Sequence, residues 1–144
     1  MLYTDATKKA MKLCFETHKD QVDQSGMPYV FHPFHLAEQM HDEDSTVVAL
    51  LHDVVEDTHY TLEDLKEMGF NRAVLEAVTL LTHLPQVSYE VYLEGIKKNP
   101  LAKTVKLADI VHNSDQTRLD ADDPRAGYWA KKYKRALEIL NSDG

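Results

Sequence analysis

The sequence of 144 residues contains one cysteine, Cys14. A single cysteine cannot form a disulfide within the chain, and it excludes a cysteine-rich zinc module. No apolar signal segment opens the sequence. Because small secreted domains commonly depend on disulfides, these absences favour a reducing compartment, and we expect a cytoplasmic protein.

Long hydrophobic runs and an excess of basic residues are also absent. The longest apolar stretches, such as residues 47–51, are far shorter than the roughly 20 residues that span a membrane. Lys and Arg number 16 against 24 Asp and Glu, which gives a formal net charge of −8. Nucleic-acid binders usually present a basic face, so we expect neither a membrane nor a nucleic-acid partner. A bound metal ion can nevertheless reverse the local sign of charge.

Glycine and proline are scarce, with five of each. No stretch has the composition of a linker, and no internal repeat is found, so we expect residues 1–144 to form a single domain. A hydrophobic content of 43% is sufficient for a continuous core. Apolar residues recur at helical spacing, and no alternating run is long enough for a strand. The sequence therefore predicts an all-α bundle of about seven to nine helices.

Capping residues and apolar periodicity predict where the helices begin and end. Ser45 is expected to cap one helix, Thr61 and Asp64 to form a capping box for the next, and Asn71 to cap the one after. The predicted helical segments are residues 6–18, 33–40 and 46–55, a segment from Thr61 to Gly69, residues 72–81, a segment from Ser88 to Asn99, and residues 101–116 and 124–140.

The last predicted helix combines basic and aromatic residues. Its basic residues are most simply a solvated face: Lys131, Lys132, Lys134 and Arg135. Its aromatic residues belong either to the core, which is favoured, or to an interface: Tyr128, Trp129 and Tyr133.

Eight histidines are more than packing requires in a chain of this length, and several lie beside carboxylates. In the segment LLHDVVEDT, His52 and Asp53 directly follow an apolar run, and Glu56 and Asp57 each lie one helical turn further on. Charges next to a buried run are costly unless they are neutralised, and a cation would neutralise them. The alternative for this segment is a solvated acidic helix end.

Asp109 lies in the middle of a predicted helix, in an otherwise apolar stretch. Lys106 lies one turn before it, and His112 and Asn113 lie one turn after it on the same side. A Lys106–Asp109 ion pair of little energetic weight is the simplest alternative to a functional role. Taken alone, His32 is consistent with a simple turn histidine.

Taken together, two histidines and two aspartates supply four nitrogen and oxygen ligands: His32, His52, Asp53 and Asp109. Such a set suits a divalent transition metal such as manganese, iron, cobalt or zinc, with positions left open for water. Because three helices contribute ligands, we expect the site in the core of the bundle. His18 is a weaker candidate, which would line the pocket or brace a ligand.

Three ordered segments resemble the hydrolase domain of the RelA/SpoT homologues, within the HD superfamily of metal-dependent phosphohydrolases. They are SGMPYVFHP at residues 25–33, LLHDVVEDT at residues 50–58 and VKLAD at residues 105–109. The resemblance extends from about residue 6 to the end of the sequence. It implies an HD-domain helical bundle that hydrolyses the 3′-pyrophosphate of guanosine tetra- or pentaphosphate, using a metal-activated water to release pyrophosphate.

The resemblance also implies a role for individual residues. The metal ligands, which usually hold Mn²⁺, would be His32, His52, Asp53 and Asp109. The catalytic acidic pair would be Glu56 and Asp57, whose separate acid and base roles are not assigned. The residues near the nucleotide would be Ser25, Tyr29, Lys106 and Asn113. The expected partner is therefore a small-molecule nucleotide.

Basic residues that are usual in the alarmone hydrolases are missing here. An Arg-Lys pair usually precedes the Ser-Gly turn, where this sequence has Asp23 and Gln24, and an arginine usually stands at Asp115. An aspartate repels a polyphosphate, and it cannot stack on a base as a guanidinium can. The cations that could compensate are Arg118, Lys19 and Lys103.

These differences leave three alternatives open. The first is an HD phosphohydrolase that acts on another nucleotide or on a phosphorylated cofactor. The second is a metal- or nucleotide-binding regulator without turnover, although the retention of Glu56 and Asp57 argues against it. The third is a helical scaffold whose histidines only pack, which predicts no tightly bound metal.

Overall fold

The computed structural model describes residues 1–120 and 122–142. Within these ranges the chain forms α-helices joined by short loops. The helices are α1 (Asp5–His18), α2 (Phe31–Glu38), α3 (Glu43–Leu51), α4 (Val54–Asp57), α5 (Leu62–Glu67), α6 (Arg72–Leu81), α7 (Tyr89–Lys97), α8 (Pro100–Asn113) and α9 (Ala126–Asn141), and a 3₁₀ turn spans Gln116–Arg118. The β-type pairing in these ranges is one isolated bridge between Val22 and Pro28. The predicted all-α fold is confirmed.

Helix α3 lies at the centre of the bundle. Its residues from Ser45 to Leu51 are all buried, and it packs against α1, α2, α6 and α8. Burial on every side explains why this stretch is apolar all round instead of amphipathic. Each fully buried leucine, such as Leu50, contributes about 1.5–3 kcal/mol to stability. The most buried stretch of the core therefore directly precedes His52 in the chain.

Several helix ends follow the predicted capping. Thr61 and Asp64 form the reciprocal capping box of α5, because each side chain accepts a hydrogen bond from the other residue's backbone N–H, at 3.1 and 2.9 Å. Asn71 caps α6 as predicted. Ser88, expected only to begin a helical segment, caps α7. Gly69, which was expected to end α5, has a φ of 93°, a left-handed conformation that favours glycine.

The prediction of one continuous helix over residues 46–55 with Ser45 as its cap is wrong. Asp42 is the cap of α3, because its Oδ1 accepts hydrogen bonds from the backbone N–H and the hydroxyl of Ser45, at 2.8 and 2.7 Å. Helix α3 ends at Leu51. Asp53 has a φ of −105° and a ψ of 0°, so the helical path is interrupted before α4 begins.

The helix predicted over residues 101–116 also ends earlier, at Asn113. Asp115 Oδ1 accepts hydrogen bonds from the backbone N–H and hydroxyl of Thr117, at 3.0 and 2.6 Å. These bonds favour a new turn over continuation of α8. None of the described helices is long and apolar enough to cross a membrane.

Candidate metal and nucleotide site

Three buried side chains from separate parts of the bundle converge on one point. His32 lies on α2, His52 follows α3, and Asp109 lies on α8. Asp109 Oδ1 lies 2.8 Å from His32 Nε2 and 3.6 Å from His52 Nε2. One ligand atom from each of the three residues lies within 4.8 Å of the others. Asp53 adjoins this group, because its Oδ2 lies 3.0 Å from His52 Nε2.

The hydrogen bonds of His52 leave one ring nitrogen available. His52 Nδ1 donates to the backbone carbonyl of Ala49 at 2.7 Å, so the neutral ring that a metal requires carries its lone pair on Nε2. Burial favours this neutral form, but the Asp53 and Asp109 carboxylates raise the pKa of His52 while no cation offsets their charge. This Nε2 is buried and has no hydrogen-bond partner of good geometry. A buried nitrogen without a partner, facing two carboxylates, is the arrangement that a divalent cation satisfies. The donor set therefore fits a metal ion.

His32 is oriented by a second histidine. His32 Nδ1 and His112 Nδ1 are 2.7 Å apart, and the two rings are stacked with an interplanar angle of 4°. Burial and the nearby Arg118 guanidinium lower the pKa of His112 to about 4, so His112 is neutral near pH 7. Its spacing from Asp109 is evident in the sequence, whereas its contact with His32 is seen only in the structure. His112 therefore orients the His32 ring, as residues outside the ligand set commonly do for the ligands of a metal site.

Lys106 forms the ion pair that was considered as the alternative to a functional role. Its Nζ lies 2.9 Å from Asp109 Oδ2, and both side chains are largely buried. Burial alone favours the neutral forms, but each charge stabilises the other. The pKa of Asp109 is therefore well below its usual range, and the pKa of Lys106 is well above its usual range.

A cavity of about 760 Å³ opens above this cluster, a volume within the range of small-molecule sites. Among the residues predicted to act, those that line it are Ser25, Tyr29, His32, Asp53, Asp57, Asp109 and Asn113. His52, Glu56 and Lys106 lie outside the cavity lining found in the described part of the chain. The cavity lining and the candidate metal ligands therefore share His32, Asp53 and Asp109.

Two residues predicted to bind the nucleotide hold carboxylates of the cluster. The hydroxyl of Tyr29 donates to Asp53 Oδ2. Burial and the Asp53 charge raise the pKa of Tyr29, so its hydroxyl remains a donor. Asn113 Nδ2 donates to Asp109 Oδ1 at 3.1 Å. These bonds fix the orientation of both aspartates.

The two acidic residues of α4 occupy different surroundings. Asp57 lines the cavity. Glu56 Oε1 accepts a hydrogen bond from the backbone N–H of His83 at 2.9 Å. Partial burial and the neighbouring Asp53 carboxylate raise the pKa of both Glu56 and Asp57. Both carboxyls are therefore suited to exchanging a proton closer to neutral pH than an ordinary carboxyl.

The loop that holds Glu56 was not identified from the sequence. His83 Nε2 donates to the backbone carbonyl of Val87 at 2.6 Å, and its ring stacks on Tyr92 with centroids 4.5 Å apart. These contacts stabilise the loop that places the backbone N–H of His83 against the Glu56 carboxylate. The contact is between residues distant in sequence, and no motif in the chain signals it.

Helix α9 contributes the far wall of the cavity, which differs from the prediction. Trp129 and Tyr133 are half-buried and line the cavity instead of filling the core, while Tyr128 is exposed. Lys132 also lines the cavity and is not part of a solvated face. The other basic residues of that group are exposed: Lys131, Lys134 and Arg135.

His18 braces the near wall and does not line the cavity itself. It is fully buried, and its Nδ1 lies 2.8 Å from Gln21 Oε1. Its ring centroid lies 5.1 Å from that of Tyr29. Gln21 and Tyr29 both line the cavity, so His18 positions two lining residues.

The acidic residues at the expected basic positions are engaged in local hydrogen bonds. Asp23 Oδ1 accepts from the backbone N–H groups of Ser25 and Met27, at 2.9 and 3.0 Å. Asp115 caps the 3₁₀ turn. Of the three cations proposed to compensate, Arg118 lines the cavity, whereas Lys19 and Lys103 lie outside its described lining.

Comparison with known proteins agrees with this geometry. The sequence model that describes the HD domain matches residues 10–114. The chain belongs to the HD-domain family. The matched range contains the four residues of the cluster, His32, His52, Asp53 and Asp109.

Two curated proteins are similar over most of this HD-domain chain. A guanosine-3′,5′-bis(diphosphate) 3′-pyrophosphohydrolase of Haemophilus influenzae is 39% identical over 113 residues, which cover 68% of this chain and 16% of that protein. A GTP pyrophosphokinase of Streptomyces coelicolor is 32% identical over 145 residues, which cover 92% of this chain and 16% of that protein. The HD-domain chain thus spans about a sixth of the length of these relatives.

A solved structure shares the fold of the HD-domain chain. It is described as a metazoan ortholog of SpoT that hydrolyzes ppGpp, and it matches with a TM-score of 0.83. The sequence identity is 23%, and the match covers 99% of this chain and 89% of that chain. At this identity the match shows a common fold.

Proposed function

We propose that this HD domain is a metal-dependent phosphohydrolase that removes the 3′-pyrophosphate of guanosine tetra- or pentaphosphate. The observation that carries the proposal is the buried Nε2 of His52. It makes no hydrogen bond of good geometry, yet it lies 3.0 and 3.6 Å from carboxylate oxygens of Asp53 and Asp109, beneath a cavity of about 760 Å³. The names of the similar pyrophosphohydrolases support the substrate class. We propose residues 1–144 as one hydrolase domain acting in the cytoplasm; residues 121, 143 and 144 lie outside the described residues.

We assign the metal to four ligands: His32, His52, Asp53 and Asp109. A mixed set of imidazole and carboxylate ligands suits Mn²⁺, our preferred metal, and also iron, cobalt or zinc. When bound, the ion would supply Lewis-acid chemistry, lowering the pKa of a water and offsetting charge on the attacked phosphate. Lys106 acts through Asp109 in this assignment, because its Nζ pairs with Asp109 Oδ2.

Glu56 and Asp57 are proposed to handle the proton. Hydrolysis forms a bond between a water oxygen and phosphorus and breaks the bond from that phosphorus to the ribose 3′-oxygen. The water loses a proton, and the 3′-oxygen gains one. Carboxylates with raised pKa values can accept the first proton and return the second. Because the Asp57 charge also contributes to the raised pKa of Glu56, separate acid and base roles are not assigned.

The remaining lining residues are proposed to orient the nucleotide. Ser25, Tyr29 and Asn113 present polar atoms along the cavity wall. Tyr29 and Asn113 also hold Asp53 and Asp109 by hydrogen bonds. Substrate position and ligand position are therefore linked through the same side chains.

A second candidate is hydrolysis of another nucleotide or phosphorylated cofactor on the same scaffold. Asp23, Gln24 and Asp115 all line the cavity at positions where basic residues would favour an alarmone. A binding regulator without turnover is less favoured, because Asp57 lines the cavity beside Asp53 and Asp109.

The experiment compares turnover on a set of phosphorylated compounds. Metal-loaded protein is incubated with guanosine tetraphosphate, common nucleoside triphosphates and NADPH, and bound metal is counted in parallel. Fastest turnover of guanosine tetraphosphate supports the main proposal. Faster turnover of another compound favours the second candidate. Bound metal without any turnover favours the regulator, and absence of bound metal favours a scaffold whose histidines only pack.

A further inference from the structure

We infer that Arg118 is the anion-binding residue that determines substrate affinity in this cavity. This inference rests on the proposed phosphohydrolase function and deepens it. Arg118 lines the cavity, and its side chain is 23% exposed. It is the guanidinium among the described lining residues, at the edge where basic residues are missing from positions 23, 24 and 115.

The guanidinium of Arg118 is held in place but retains free donors. Its Nη1 donates to the backbone carbonyl of His112 and to Asn113 Oδ1, both at 3.1 Å. Its Nη2 lies 3.8 Å from Asp23 Oδ2, which is beyond hydrogen-bond distance. A guanidinium has five N–H donors, so donors remain for a phosphate. A planar, preorganised guanidinium binds phosphate oxygens in pairs.

The position of Arg118 depends on the residues that depart from the alarmone hydrolase pattern. Asp115 caps the turn that carries Arg118 by accepting hydrogen bonds from Thr117. The Ser25 hydroxyl donates to the backbone carbonyl of Arg118 at 2.8 Å. Asp23 in turn accepts from the backbone N–H of Ser25. The acidic residues thus stabilise the two loops that hold Arg118.

A short chain of hydrogen bonds connects Arg118 to the metal cluster. Asn113 accepts from Arg118 through Oδ1 and donates to Asp109 Oδ1 through Nδ2, both at 3.1 Å. Arg118 is therefore one side chain removed from a proposed metal ligand. The second phosphate of the leaving pyrophosphate, which adjoins the attacked phosphorus, would lie within this region.

The charges around the cavity make one cation important. Among the described residues, five aspartates line it: Asp23, Asp53, Asp57, Asp109 and Asp115. The basic side chains among the described lining residues are those of Arg118 and Lys132. Burial lowers the pKa of Lys132, whereas an arginine keeps its charge at any physiological pH. Removal of Arg118 should therefore weaken anion binding strongly.

The test measures binding of inorganic pyrophosphate to Mn²⁺-loaded protein by calorimetry. The variants are Arg118→Gln, Arg118→Lys and the control Arg72→Gln, whose side chain is 92% exposed on α6. We expect about a 10-fold or greater loss of affinity in Arg118→Gln, the effect of losing hydrogen bonds to a charged group. Arg118→Lys should lie between Arg118→Gln and wild type, and Arg72→Gln should match wild type. Metal content should be equal in all four proteins.

Hydrolysis provides a second readout. Arg118→Gln should raise the KM for guanosine tetraphosphate about 10-fold with a smaller change in kcat. Wild-type affinity for pyrophosphate in Arg118→Gln would overturn the inference, and so would absence of pyrophosphate binding by wild type. If Arg118→Gln does not fold, Arg118→Lys decides by the same comparison. Pyrophosphate binding that depends on Arg118, without hydrolysis of guanosine tetraphosphate, would contradict the proposed function and leave this inference supported.

Discussion

His52 Nε2 lies 3.0 Å from Oδ2 of the next residue in the chain, Asp53. In a continuous helix, successive side chains point about 100° apart, which separates neighbours around the axis. Here α3 ends at Leu51, and the φ of Asp53 is −105° before α4 begins, well away from the helical value of about −63°. The interruption of the helix lets two consecutive side chains point toward the same place. Asp109 Oδ1 also lies there, 3.6 Å from His52 Nε2.

Asp53→Asn is expected to abolish retention of the metal. The substitution removes a negatively charged ligand beside His52 while keeping the size of the side chain. Metal content after gel filtration, measured by mass spectrometry, checks this result. Asp20→Asn, at an exposed position, should retain metal as wild type does. Normal metal content in Asp53→Asn would remove Asp53 from the ligand set.

Tyr29→Phe tests the support of that ligand. The hydroxyl of Tyr29 donates to Asp53 Oδ2, and loss of such a bond typically lowers metal affinity about 10- to 100-fold. A competition titration with a chelating dye measures the affinity. Tyr3→Phe is the control, because Tyr3 is 68% exposed. Equal affinity in Tyr29→Phe and wild type would show that the hydroxyl does not orient Asp53.

Glu56→Gln should keep the metal and lose most of the turnover. Glu56 lies outside the proposed ligand set, and general acid–base groups contribute about 10²–10⁴-fold to rate. We therefore expect normal metal content with kcat lowered by about that factor. Glu63→Gln, at an exposed position on α5, serves as the control. An unchanged kcat would exclude Glu56 from the mechanism.

The ionisation of Glu56 and Asp57 can be followed in the metal-free protein. Partial burial and then the Asp53 charge raise the pKa of both carboxyls, so each should bind its proton at a higher pH than an ordinary Glu or Asp. NMR titration of the carboxyl carbons measures both values. In Asp53→Asn the repelling charge is gone, so both pKa values should fall toward their usual range. If the pKa values of Glu56 and Asp57 are unchanged in Asp53→Asn, the Asp53 charge does not affect the ionisation of these carboxyls.

Much of the fold follows from local sequence signals. Thr61 with Asp64 and Asn71 were predicted as caps and are confirmed, because a cap depends on residues within one turn. The interruption at Asp53 was missed, since the apolar run and the following VVED segment both favour helix. The loss of helical path there depends on the packing of α3 against four other helices.

The sequence indicated which residues form the candidate site, but it did not indicate which of them contact one another. The structure brings His32, His52 and Asp109 together, and their roles as ligands remain predictions. The bond between His32 and His112 and the bond between Glu56 and His83 join residues distant in sequence. Such contacts are set by how α2, α4 and α8 pack, which a single sequence does not specify.

Product analysis tests the central claim most directly. Protein stripped with a chelator is mixed with guanosine tetraphosphate, Mn²⁺ is added to one half, and phosphorus NMR follows the products in both. The proposed function predicts GDP and pyrophosphate in the half with Mn²⁺ and unchanged substrate in the other. Equal hydrolysis in both halves, or none in the half whose protein has bound Mn²⁺, would contradict it.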